Sequence, residues 1–410
     1  MKHTFFYTII PGFLFFAGSI QTFAQEEIPY RRSSLYSLLI SHENQQFAKE
    51  IREAFVKIPV PEKFNDHELS VKVLTMDKKL KNASADSENT EITTFLERNN
   101  VASRLVGRWF NRNNGTGICN MELVKERGLY NASEYDRILA EHSARSTALL
   151  ADAGEDLIGN TFVLVNDISY IDKSNVSAGI GAGLKILGAV AGAVTGNSGL
   201  SDLGDSYGDL AATYKGFKVK INTFLYRLVW DEETAGTFYA EQYTNIPNAA
   251  KRDNFETGRS GYKLKYVGKV ESSGSTTSFM GIKLDEPVQM VRKACQRAID
   301  ENVATLQQDF EEFRTKSPLV TATPITAFVG MKEGVTKASR FEVLEVIEKE
   351  DGTRSYKRVG IIRPVEGLIW DNRYMAAEEG VPAAALNCTT FKKESGGEFF
   401  PGMLIREIKN

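Results

Sequence analysis

The chain has few of the residues from which catalytic and metal-binding sites are usually built. Among its 410 residues are four scattered histidines, with no H-x-x-x-H pair and no cysteine at metal-ligand spacing. The histidines are His3, His42, His67 and His142. Walker and G-x-S-x-G motifs are absent, and Gly179-x-Gly181-x-Gly183 does not have the G-x-G-x-x-G spacing of a dinucleotide-binding turn. We therefore expect no catalytic residue, no cofactor and no bound metal.

Two acidic groups remain as candidates for acid–base chemistry. Asp152 lies close to Glu155 in the sequence, and Asp231 is followed by Glu232 and Glu233. Their surroundings are typical of turns, so we expect solvated charges at both places. A hydrolase whose catalytic residues meet only in the folded chain stays open as an alternative.

Cysteine is also scarce, and the three present allow at most one internal disulfide. Cys295 falls on the apolar face of a predicted helix, where a buried thiol is expected. Cys119 and Cys388 could pair, although nothing in the sequence requires it.

Excess charge of either sign is missing as well, because the net charge is −3. This balance gives no basic footprint for nucleic acid and no polybasic arm for anionic lipid. The chain is 42% hydrophobic and 25% charged, which suits a globular protein, and its length favours two domains.

The N-terminus carries an apolar run that is too short for a confident spanning helix. Lys2 precedes the run from Phe5 to Ile20, which Pro11 and Gly12 interrupt and which a small-residue site ending at Ala24 follows. This pattern predicts a signal peptide at residues 1–24 and an exported mature protein. A signal anchor is the alternative, and no lipobox cysteine lies at the cleavage point.

Residues 25–316 are expected to form one α/β domain. Apolar spacing predicts helices over Ser34–Ile58, Glu91–Phe110, Asn131–Ser143, Asn248–Thr257 and Glu286–Lys316, the last with Asp285 as its cap and Pro287 in its first turn. Polar composition predicts a loop over Lys78–Thr90. Strands are predicted at Leu69–Thr75, Met121–Val124, Asn160–Tyr170, Lys215–Trp230, Thr237–Thr244 and Tyr262–Val270.

Residues 317–410 are expected to form a separate β-rich domain after the break at Pro318. Phe341–Ile347 and Ser355–Pro364 flank Asp351-Gly352, which is a hairpin signal. Because a lone hairpin cannot bury its apolar face, a small barrel of about five strands is the economical solution.

The most unusual segment lies in mid-chain, where Asn175–Asp209 holds nine of the 33 glycines. Alternation brings Leu184 and Ile186 to one side and Gly179, Gly181 and Gly183 to the other. From Gly188 through Gly192 to Gly196 the spacing becomes G-x-x-x-G-x-x-x-G, which permits close helix packing. Three interpretations stay open: a surface insertion, a helical contact with a membrane or a second subunit, and a barrel hairpin. The uncharged run is shorter than a membrane-spanning helix needs.

The order of these motifs resembles the curli secretion channel family of outer-membrane proteins and its periplasmic relatives. The similarity covers Ser103–Phe313 and rests on Trp109-Phe110, Glu126-Arg127-Gly128, Asp167–Tyr170, the glycines after Asn175, the strand Val219–Val229 and Pro287. The end of the chain, with Gly330, Gly334 and Arg340–Val343, is similar to the C-terminal barrel of flagellar and envelope assembly proteins.

The resemblance implies a mixed sheet flanked by helices, a Gly-rich hairpin insertion at 175–214 and an SH3-like C-terminal barrel. It also implies that Trp109, Phe110, Arg127, Gly128 and Pro287 are structural markers. In channel members, two hairpins per subunit build a shared transmembrane barrel. The glycine spacing after Gly188 departs from that pattern, and so does the missing lipid-anchor cysteine.

We therefore expect a non-enzymatic exported protein of a Gram-negative envelope that acts as an oligomer in secretion or surface-structure assembly. It would lie in the periplasm or on the periplasmic side of the outer membrane, with envelope or secreted proteins as partners and no nucleic acid. A soluble periplasmic adaptor is the main alternative.

Overall fold

The computed structural model describes residues 33–75, 85–131, 154–155, 157–171, 217–275, 287–348, 354–376 and 386–408. Several predictions from the sequence fall outside these ranges: the signal peptide, most of the helix predicted over Asn131–Ser143, the cap Asp285 and the turn Asp351-Gly352. All eight membrane or oligomer contact residues predicted in the Gly-rich segment also fall outside them.

A mixed sheet of six strands forms the centre of the first region. The strands are β1 Ser34–Ser41, β2 Asn65–Asp66, β3 Val73–Thr75, β4 Thr161–Tyr170, β5 Lys218–Leu228 and β6 Leu264–Ser275. Their order is β2-β1-β4-β5-β6, and β3 also pairs with β1. β1 runs parallel to β2, β3 and β4, whereas β4, β5 and β6 are antiparallel neighbours. The strands predicted around β4, β5 and β6 are confirmed.

Helices cover both faces of this sheet. They are α1 Ala48–Val56, α2 Ala85–Arg98, α3 Val101–Trp109, α4 Glu122–Asn131, α5 Glu232–Thr237, α6 Ala249–Thr257 and α7 Pro287–Asp309. Leu35 and Leu39 of β1 face the core shared with α1 and α7. Tyr36, Leu38 and Ile40 face the core shared with α2 and α3. The predicted fold, a mixed sheet flanked by helices, is confirmed.

Four predicted elements were wrong, and each has a local cause. Ser34–Ile58 is a strand followed by a helix, because β1 is buried on both faces and its apolar run does not alternate. Glu91–Phe110 is two helices, because Asn100 adopts a left-handed conformation at φ 53°. Met121–Val124 begins helix α4, where the Asn120 side chain accepts a hydrogen bond from the Glu122 amide at 3.3 Å.

The fourth wrong prediction was the returning strand Thr237–Thr244. Asp231 instead caps α5 by accepting a hydrogen bond from the Thr234 amide at 2.9 Å, and a π-helical turn, Phe238–Gln242, follows. The strand that pairs with β5 is β6, and α6 lies between them in the sequence. The predicted loop over Lys78–Thr90 is also partly helical, since α2 begins at Ala85.

The C-terminal region forms a closed antiparallel barrel. Its strands are β7 Ser317–Ala322, β8 Ile325–Ala327, β9 Phe341–Glu348, β10 Arg354–Pro364, β11 Thr389–Gly396 and β12 Leu404–Glu407. They close in the order β10-β11-β8-β7-β12-β9, so the barrel has six strands where about five were predicted. The predicted hairpin is the β9–β10 pair. Val343, Ile362, Phe391 and Ile405 are among the residues of its own apolar core.

Candidate functional site

The Gly-rich segment leaves and rejoins the sheet at one point. β4 and β5 pair without a break from Phe162 opposite Arg227 to Tyr170 opposite Val219. Beyond the last pair, the Ile171 amide donates a hydrogen bond to the Lys218 carbonyl at 2.9 Å. Residues 172–216 therefore connect two paired strands at the centre of the sheet, which is a hairpin position.

Three aromatic rings pack together where this connection begins and ends, and we call them the aromatic base. Phe47 lies 4.7 Å from Tyr170 and 5.4 Å from Phe217 between ring centroids. Tyr170 and Phe217 stack on each other at 5.4 Å. Phe47 precedes α1 with φ 60°, a conformation that is uncommon for a non-glycine residue. The aromatic base therefore joins both ends of the connection to the start of α1.

A buried polar pair lies beside the aromatic base. His42 Nε2 lies 2.6 Å from Asp167 Oδ1, and the two residues are 6% and 4% exposed. Gln45 donates a hydrogen bond to the Ile168 carbonyl at 2.9 Å and accepts one from the Tyr170 amide at 3.4 Å. These contacts fix the carboxyl end of β1 to that of β4. In the sequence His42 stands as an isolated histidine, because its partner lies 125 residues away.

Two of the predicted structural markers meet in a second buried cluster. The Arg127 guanidinium lies 4.6 Å from the ring of Trp109, whose Nε1 donates a hydrogen bond to Thr161 Oγ1 at 2.8 Å. Arg127 also donates to Ser34 Oγ and to His67 Nδ1 at 2.7 Å. The cluster therefore ties α3 and α4 to the amino ends of β1 and β4.

His67 in this cluster is held in the neutral form. Burial and the neighbouring Arg127 charge keep the pKa of His67 well below its usual value. Because Nδ1 accepts from Arg127, the ring proton lies on Nε2, which donates to the Leu105 carbonyl at 3.0 Å. The histidine thus joins β2 to α3 without carrying charge.

The other markers lie elsewhere. Phe110 packs against Phe238, with ring centroids 4.4 Å apart, and contacts Trp230, Tyr239 and Tyr243. Gly128 is buried within α4. Pro287 is the first residue of α7. Asp231 is a helix cap, as described above, and Glu155 accepts a hydrogen bond from the Tyr239 hydroxyl at 2.8 Å.

All three cysteines are free thiols. Cys295 is fully buried, as predicted, and burial raises its pKa to about 12. Cys119 is buried with a raised pKa, and Cys388 is partly exposed. The pairing of Cys119 with Cys388, left open by the sequence, is therefore not made in this structure.

Two sizeable cavities open on other parts of the surface. One, of about 820 Å³, is lined by arginines of α3 and by residues near the end of α6, and we call it the arginine cleft. The other, of about 520 Å³, lies between α7 and the barrel and is lined by Asp300, Ala304 and Lys332 among others. Neither cavity was predicted from the sequence. Arg104 and Arg108 stand four residues apart on the polar side of a predicted helix, which was the available signal for the cleft.

The part of the chain that the structure describes contains no group of three or more histidine, cysteine, aspartate or glutamate side chains placed to hold a metal ion. Within the same residues, no helix combines the length and apolar character needed to cross a membrane.

Comparison with known proteins gives no assignment. The chain matches no protein-family model, and a search of curated proteins finds no matching relative.

Proposed function

We propose that the protein is a non-enzymatic exported component of a Gram-negative envelope, acting as an oligomer in secretion or surface-structure assembly. Residues 175–214 would supply its contact with a second copy or with the outer membrane. The supporting observation is that this segment connects β4 to β5, which are antiparallel neighbours whose facing ends carry the aromatic base. In the curli secretion channel family, which the sequence resembles, the first membrane hairpin occurs at the same point in the order of elements.

The two strands that carry this segment are firmly held in the sheet, so they would fix its position relative to the α/β domain. Both strands that carry it lie at the centre of the sheet, between β1 and β6. His42 and Asp167, together with Gln45, hold the neighbouring strand ends. A contact made by the segment would therefore act directly on two central strands of the α/β domain.

The alternative, a soluble periplasmic adaptor, is favoured by a different observation. Large apolar side chains of the C-terminal region are exposed, with Phe400 55% and Phe328 49% exposed. Aromatic side chains are enriched in protein–protein interfaces relative to the rest of the protein surface. In this alternative the barrel holds the partner, and the Gly-rich segment contributes nothing to assembly.

The first experiment compares the full-length chain with a variant in which a short Gly-Ser turn replaces residues 175–214. Both are expressed in a Gram-negative host, fractionated, and sized in buffer and in detergent. We expect the full-length protein in an oligomeric envelope fraction and the variant as a monomer with an unchanged Tm. Recovery of both proteins as the same soluble monomer would contradict the proposal and favour the adaptor.

A matched pair of point variants tests the glycine spacing. Changing Gly188, Gly192 and Gly196 to leucine should weaken the oligomer, because bulky side chains block close backbone approach. Changing Gly199, Gly204 and Gly208 to leucine makes the same compositional change and leaves the run of Gly188, Gly192 and Gly196 intact. Equal loss in both variants would show that this run has no special part in the contact.

A further inference from the structure

The arginine cleft gathers positive charge on a protein that carries no overall positive charge. Arg104 and Arg108 come from α3, Arg112 follows that helix, and Arg259 comes from the 3₁₀ turn Gly258–Gly261. Of the described residues that line the cleft, Glu68 is the only acidic one. The four arginines therefore face the same open space of about 820 Å³.

Two of these arginines are held in place by salt bridges to one glutamate. Glu256 pairs with Arg112 at 3.0 Å and with Arg259 at 2.5 Å. The Arg112 guanidinium also lies 4.0 Å from the ring of Phe255, and its side chain is 1% exposed. Because their charge is shared with Glu256, Arg112 and Arg259 shape the cleft more than they attract a ligand.

Neither of the other two arginines forms a salt bridge with an acidic side chain among the described residues, and Asp66 acts on Arg108 only at longer range. Arg104 donates a hydrogen bond to the Leu69 carbonyl at 3.0 Å, and no acidic side chain among the described residues pairs with it. Arg108 is exposed, and in the same part of the chain its guanidinium makes no hydrogen bond or ion pair. Glu68 pairs with Lys72 at 3.6 Å and not with either arginine. An incoming anion would therefore find two guanidinium groups available.

The distance between Arg104 and Arg108, and the uncharged side chains beside them, indicate what kind of anion fits the cleft. Arg108 follows Arg104 by four positions along the helix, a rise of about 6 Å. Side chains on one face of an extended peptide repeat at roughly 6.6 Å, which is close to this distance. Asn111 and Asn114 line the cleft and are exposed, so their amides can bond to a peptide backbone.

We propose that the arginine cleft binds an extended acidic peptide segment with carboxylates at alternate positions, Arg104 and Arg108 each taking one. Single-stranded nucleic acid fits less well, because base stacking needs an open aromatic face. Phe255, the aromatic residue lining the cleft, is 3% exposed and is covered by Arg112. The proposal does not depend on the Gly-rich segment.

Fluorescence anisotropy on the full-length protein tests this assignment. The probe is a short labelled peptide in which glutamate alternates with serine, and the comparison peptide has the same residues in two blocks. We expect the alternating peptide to bind more tightly and its affinity to fall with added salt. Equal affinity for the two peptides, or tighter binding of a labelled oligothymidine, would overturn the proposal.

Variants then locate the site. Arg108→Gln and Arg104→Gln should each weaken binding by about tenfold at low salt, the loss expected for one charge-assisted hydrogen bond. Arg358→Gln, an exposed arginine of β10, is the matched control and should bind normally. Thermal melts verify that all three fold. Unchanged binding by folded Arg104 and Arg108 variants would place the peptide elsewhere, whereas the variant lacking residues 175–214 should bind as the full-length protein does.

Discussion

Asp300 is a buried carboxyl group whose charged form destabilises the fold. It is 8% exposed on α7, and its Oδ2 atom has no hydrogen-bond partner among the described residues. Burial raises its pKa to about 7, while Lys332, Lys63 and Arg297 act in the opposite direction and Glu333 adds to the rise. The nearby cations therefore offset only part of the cost of burying the carboxylate.

This environment predicts a pH dependence of stability that the Asp300→Asn variant should remove. Between pH 3.8 and about 7 the folded chain keeps the Asp300 proton and the unfolded chain loses it. The free energy of unfolding should therefore fall as pH rises, by about 1.4 kcal/mol per pH unit, and stay low above that window. Measured by urea unfolding, the stability of the variant relative to the wild type should therefore increase from pH 4 to pH 8.

The control is Asp253→Asn, which changes a carboxyl that is 61% exposed on α6. Its stability should follow the wild type at both pH values. If Asp300→Asn lost as much stability at pH 8 as at pH 4, the carboxylate would be making a favourable contact, and the predicted sign would be wrong.

Individual site residues could be predicted from the sequence where a local motif carried them. Trp109 and Arg127 were two of the five predicted structural markers, and the structure brings these two into contact. His42 and Asp167 could not be paired, because only the parallel register of β1 on β4 brings Ile40 opposite Asp167. The arginine cleft depends in the same way on α3 and α6 lying side by side.

At the scale of elements, the sequence was informative wherever one face of an element is polar. β5 and α6 were predicted correctly because the first alternates and the second follows the cap Asn248. β1 was missed because both of its faces are buried, which removes the alternation. The partner of β5 is β6 and not residues 237–244. This pairing is set by tertiary contacts, so no local sequence pattern predicts it.

The contact between β6 and α7 should tolerate no side chain at Gly274. A Cβ atom there would lie 2.0 Å from the Ala294 carbonyl oxygen and 3.2 Å from the Ala298 Cβ. Gly274→Ala should therefore force the helix from the sheet and lower the free energy of unfolding by about 2 kcal/mol. Chemical denaturation of the full-length chain measures this change.

Gly261→Ala is the matched control, since a Cβ atom at Gly261 has no neighbour within 4 Å. That variant should unfold within about 0.5 kcal/mol of the wild type or slightly later, because alanine restricts the unfolded chain. Equal behaviour of the two variants would mean that the close approach of α7 to β6 is not a source of stability.

At the scale of the whole molecule, α7 belongs to both halves. One side of it packs in the core of the sheet, and the other side faces the barrel. Gln308 of α7 bonds to Glu407 of β12 at 3.3 Å, and Arg297 donates to the Tyr374 carbonyl at 3.0 Å. The division of the chain near residue 317, which the sequence predicted, therefore falls beside a shared helix, and the two halves should be coupled in stability.

Ala304 is a buried residue of this junction, and its Cβ atom lies 3.2 Å from the position that a Cβ atom on Gly334 would take. Ala304→Trp should wedge the barrel from α7, because Ala304 is 7% exposed and a larger side chain there meets Gly334 at the edge of the cavity between the two halves. Calorimetry of the full-length chain should then change from one cooperative transition to two, since each half keeps its own apolar core. Ala250→Trp, at an exposed alanine of α6, makes the same substitution away from the junction and should keep the single transition. A single transition in both variants, at the wild-type temperature, would mean that the contact at Ala304 is not what couples the barrel to the sheet domain.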